Sequence, residues 1–99
     1  MDRKSVAKWR IERQLRSVVA ELSAARNQVE VVKEQYAAFV DDDDDAQSRA
    51  LASSLVSEVH IAKDAHRHAE LMREALRHAE QRVIDLEKRR DNLLSSYSP

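Results

Sequence analysis

At 99 residues the chain has room for one domain, whose core is marginal unless a second copy or another partner supports it. It has no cysteine, no glycine and a single proline, Pro99, which excludes disulfides, thiolate metal sites and cysteine nucleophiles and argues against tight strand hairpins and phosphate-cradling loops. With 35% charged residues, 4% aromatics and a formal net charge of -1, the composition is that of a long helix or coiled coil, with no general affinity for nucleic acid or membrane.

Met1-Asp2-Arg3-Lys4-Ser5 leads into alternating charges instead of the apolar core of a signal peptide. No apolar run is long enough to span a bilayer, so a soluble cytoplasmic protein without membrane contact is expected. The N-terminal stretch is basic: residues 1–16 carry a net charge of +4, and Trp9 sits among Arg3, Lys4, Lys8, Arg10 and Arg13. An outward tryptophan among cations is a candidate contact for a protein or a base. The plainer alternative is that it covers the stems of those long side chains.

From Ile11 onward the apolar residues fall at Ile11, Leu15, Val18, Leu22, Ala25, Val29, Val32, Tyr36 and Phe39, in alternating steps of four and three. This is a heptad seam, with Leu15, Leu22, Val29 and Tyr36 at position a and Ile11, Val18, Ala25, Val32 and Phe39 at d. It predicts a first helix over residues 2–40.

Asp41, Asp42, Asp43, Asp44 and Asp45 follow. Five like charges with nothing apolar to bury read as exposed, non-core backbone, so a turn is expected over 41–46, forming an acidic tip that could dock a partner of opposite charge. Asp45 or a neighbour would cap a second helix over 47–95, ahead of a frayed tail at 96–99. Its seam runs Leu51, Leu55, Glu58, Ala62, Ala65, Ala69, Met72, Leu76, Ala79, Val83, Leu86, Arg90 and Leu93. Glu58 and Arg90 break it, and Val59 and Ile61 suggest a local shift of the seam.

The whole is expected to be an all-α antiparallel coiled-coil hairpin, dimerising into a four-helix bundle, with the alternative of one continuous rod that pairs between chains, since no glycine enforces the reversal. The register with the shorter loop pairs Tyr36 with Leu51, Val32 with Leu55, Leu22 with Ala65, Leu15 with Met72 and Ile11 with Leu76, leaving residues 87–99 as an overhang. The alternative pairs Phe39 with Leu55, Leu22 with Met72 and Ile11 with Val83. Either one sorts charge into a rod with an acidic tip, residues 34–58 carrying a net of -6, and a basic open end. Off the seam, Val19, Val40, Val59, Ile61, Leu71 and Ile84 favour self-association.

His60, His66, His68 and His78 do not pair at the three- or four-residue spacing of a helical metal site, and Asp64 with His68 reads as a surface contact. No metal, cofactor or catalytic residue is expected. The leading functional expectation is a non-enzymatic interaction protein, a homo-oligomer docking a protein of unspecified identity. The hairpin plan, with Asp41, Asp44 and Ala46 matching an Asp-x-x-Asp-x-Ala tip, resembles the DksA-type factors. The resemblance covers only the tip and the plan, without their zinc-binding cysteines, and implies a regulator that inserts its acidic tip into RNA polymerase or another large enzyme. A third alternative is nucleic-acid binding through the basic end, with steep salt dependence, although the net charge counts against it.

Overall fold

The computed structural model describes residues 3–97, and its chain is all-α. Helix α1 (Arg3–Ser53) and helix α2 (Val56–Tyr97) form an antiparallel hairpin. The expected start at Asp2 and the last two tail residues, 98 and 99, lie outside the described residues; Ser96 and Tyr97 are helical.

The reversal is not at 41–46: α1 passes through all five aspartates and stops at Ser53. Successive residues of an α-helix are about 100° apart, so adjacent aspartates do not face one another. Only Asp41 with Asp44, Asp41 with Asp45, and Asp42 with Asp45 are neighbours on the helix surface. Such like-charge pairs cost about 0.2–0.5 kcal/mol each, too little to break a helix continuous on both sides. Four of the five carboxylates remain in water, and only Asp43 is half-buried.

The chain turns at Ser54 and Leu55. Ser54 takes a left-handed conformation, φ 56°, and its N–H donates to the Ala50 carbonyl at 3.3 Å, which satisfies one of the orphan carbonyls at the end of α1. Glycine most often fills this position because it has no Cβ to clash; here serine does. The Leu55 N–H donates to Ser53 Oγ at 3.4 Å, and the Leu55 carbonyl accepts the first bond of α2, from the Val59 N–H at 3.1 Å. Glu58, in the first turn of α2, places its carboxylate near the positive helix terminus.

Two compact units divide the chain. The first comprises residues 3–28 and 80–97 of those described. Its centre is a cluster of Leu22, Ala25 and Leu86 with Val83 packed against it, and Val18 is fully buried. Leu22 therefore packs with Leu86, three heptads beyond the Ala65 of the expected register. Among the described residues there is no overhang: Leu86 is buried and Leu93 half-buried, although Leu94 is exposed. Across the pair, Arg26 reaches Glu87 at 3.7 Å and Arg89 reaches Glu21 at 3.9 Å, exposed contacts that orient more than they stabilise.

The second unit, residues 29–79, contains the reversal. Its buried residues are Val32, Ala46, Ala62 and Ala69. In α1 the four-three alternation continues past Phe39 to Asp43, Ala46 and Ala50, each buried or half-buried. In α2 the expected seam is buried or half-buried at each position from Glu58 to Leu93, including Ala65, Met72, Leu76 and Val83. Glu58 and Arg90 are thus charged members of an unbroken seam. Val59 and Ile61, the expected alternative, are 40% and 52% exposed. Leu51 and Leu55, expected in the seam, are 86% and 58% exposed because they flank the turn.

Candidate functional site

Near the reversal the two helices are joined by polar side chains. Gln47 Nε2 donates to Asp43 Oδ1 at 3.0 Å, one turn back on α1, and to the Ala62 carbonyl of α2 at 2.9 Å. His66, one turn beyond Ala62, donates from Nδ1 to Asp43 Oδ2 at 3.0 Å. An ionised carboxylate only accepts, so this bond places a proton on Nδ1. Both Asp43 oxygens and both protons of the Gln47 amide are therefore engaged. Buried alanines at 46 and 62 let the backbones come close enough for a short amide to reach a main-chain carbonyl.

The Asp43 side chain is 16% exposed. The hydrogen bond from Gln47, then that from His66, holds its carboxyl below the ordinary value of 3.8, aided by attraction to His66 and opposed by partial burial. A polar residue at an a position, satisfied only when one particular turn of the partner helix lies opposite, fixes register. Among the described residues no group of three or more His, Cys, Asp and Glu is arranged to hold a metal ion.

Beside this clamp the turn surface is apolar. Leu51, Leu55, Val56 and Val59 are 86%, 58%, 71% and 40% exposed, whereas the seam beneath holds alanines and Asp43. Large apolar side chains face water and small or charged ones face inward, the reverse of ordinary helical patterning. The expected acidic tip is therefore replaced by an apolar one. Asp41, Asp42, Asp44 and Asp45 are exposed along α1, about two and a half to three and a half turns before the reversal. In the DksA-like reading Asp41, Asp44 and Ala46 belong to a tip; here they are helical and Ala46 is buried.

In the first unit Arg3, Lys4, Lys8, Trp9, Arg10 and Arg13 are all exposed on α1. The Arg13 guanidinium lies 5.5 Å from the centre of the Trp9 ring, which remains 52% exposed. Tyr97 donates from its hydroxyl to Glu12 Oε1 at 3.1 Å, and Lys8 Nζ lies 5.6 Å from the centre of its ring. Tyr97 thus fastens the last turn of α2 to α1, a role that the expected frayed tail did not give it.

These features define an all-α antiparallel hairpin with a polar register clamp and an exposed apolar turn. Comparison with protein-family models, with curated proteins and with solved structures found no match. Among the described residues no helix is long and apolar enough to cross a membrane.

Proposed function

We propose that this chain is a non-catalytic coiled-coil interaction protein that self-associates and presents its surface to a protein partner. The observation that carries the reading is the exposed apolar turn surface of Leu51, Leu55, Val56 and Val59. Contiguous exposed apolar residues mark contact sites more often than scattered ones do. The small core adds support: half of the buried hydrophobic residues are alanines, Ala25, Ala46, Ala62 and Ala69, so little apolar area is removed from water within one chain.

Sedimentation equilibrium across a wide concentration range tests the reading. A mass that rises above one chain with concentration is the expected result, and a single-chain mass throughout contradicts it.

A further inference from the structure

The outward face of α1 near its N-terminus carries one sign of charge. With Leu15 at position a, the outward positions b, c and f between residues 3 and 16 hold Arg3, Val6, Trp9, Arg10, Arg13 and Arg16. No acid stands at any of them. Lys4 and Lys8 fall at d and a, on the seam side. Glu12 and Glu21, the acids of α1 between residues 3 and 28, lie off this stripe, and each is engaged from α2, by Tyr97 and by Arg89.

The stripe is therefore left with unmatched cations. Arg26, Arg73, Arg77, Arg89 and Arg90 each reach a carboxylate, whereas Arg3, Arg10, Arg13 and Arg16 form no ion pair among the described residues. Trp9 stands among them, 52% exposed even with the Arg13 guanidinium over its ring at 5.5 Å. An aromatic surface thus stays open to water beside a cation.

These are the two elements that hold a single strand of nucleic acid. A guanidinium presents a rigid fork of N–H donors to phosphate oxygens, and an exposed indole is a platform on which a base stacks. From Arg3 to Arg16 the stripe runs about 20 Å, over which a stacked strand passes about six phosphates at about 3.4 Å each. Other polyanions match it less well. An acidic peptide supplies the charge but no base to stack, and an anionic membrane needs a broad apolar face, whereas Ile11 and Leu15 are half-buried in the seam.

We propose that this stripe binds single-stranded nucleic acid, with Arg3, Arg10, Arg13 and Arg16 on its phosphates and Trp9 stacked on a base. The whole-chain charge of -1 is a poor guide to such a contact: residues 3–16 hold six Lys and Arg against one acid, and salt screens charges more than about 10 Å away. The site lies on one helix of one unit, goes beyond the reading given above, and stands or falls independently of it.

The wild-type chain, Trp9→Ala, and Arg10→Gln with Arg13→Gln are titrated into labelled oligothymidylate and oligouridylate of about twelve nucleotides, about twice the span of the stripe, and binding is followed by anisotropy over a range of salt. The substituted side chains are exposed, so helicity by circular dichroism is expected to be unchanged. Wild type binds at low salt, the oligomer quenches Trp9 fluorescence, and affinity falls steeply as salt rises. The glutamine variant lowers the slope of log affinity against log salt by about 1.4, two phosphate contacts at about 0.7 each. Trp9→Ala weakens binding at least about fivefold and leaves the slope unchanged. Polyglutamate and phosphatidylserine vesicles do not displace the oligomer. An absence of binding at low salt, a slope that the glutamine variant does not lower, a Trp9→Ala affinity equal to that of wild type, or displacement by polyglutamate or by the vesicles overturns the proposal.

Discussion

Ser54 is the residue on which the reversal depends, and its left-handed backbone costs a residue with a Cβ about 1–2 kcal/mol. Part of this would be returned as unfolded-state entropy on replacement by glycine. Ser54→Gly is therefore expected to raise stability by about 0.5–1 kcal/mol in urea unfolding; an unchanged or lower midpoint contradicts the left-handed cap. Asp43 is the other residue with a consequence of its own. Its carboxyl titrates below 3.8 in the folded chain, so the unfolded state binds its proton first as the solution is acidified. The stabilisation is complete above the ordinary carboxylate value and is lost as pH falls through the lower folded value. Wild type is expected to exceed Asp43→Asn in stability at neutral pH, with the difference shrinking below pH 3.8. A difference that stays constant through acid unfolding curves contradicts the clamp.

At the scale of the elements, the absence of helix breakers explains why α1 extends over 51 residues. Exposed aspartates within it weaken the helix slightly through poor propensity and neighbouring charge. Replacing Asp41 and Asp45 by alanine is expected to raise stability by about 1 kcal/mol at low salt. A turn at 41–46 would give no such gain from helix formers. The seam of α1 and the helical class were legible in the spacing of Ile11 through Phe39 because heptad periodicity survives any choice of partner register. The turn was not, because composition drew attention to charge and away from phase. The four-three alternation through Asp43, Ala46 and Ala50 was already in the sequence, as was the serine pair Ser53–Ser54, whose residue type favours caps and turns. The mistaken register followed directly: moving the reversal from the aspartates to Ser54 carries Leu22 from Ala65 to Leu86. No sequence rule would have found the Asp43, Gln47 and His66 clamp before that register was known.

For the whole molecule, a core of few and small side chains makes each large one count. Leu22 is 2% exposed within the Leu22, Ala25 and Leu86 cluster, and Leu22→Ala is expected to cost about 2–4 kcal/mol, measured by chemical unfolding at fixed concentration. A loss under about 1 kcal/mol would mean that the cluster is not where folding energy is gained. Concentration must be fixed because an associating chain gains stability by mass action; under the proposed self-association the unfolding temperature is expected to rise with concentration, and one that does not change contradicts it. The clamp and the apolar turn both require one strand reversal and one register. The chain has no cysteine of its own, so a cysteine pair reads that register without background. Leu22→Cys with Leu86→Cys is expected to close an intramolecular disulfide under mild oxidation, seen as a single-chain species under non-reducing conditions, while Leu22→Cys with Ala65→Cys stays reduced. Efficient closure of the second pair and none of the first would contradict the fold described.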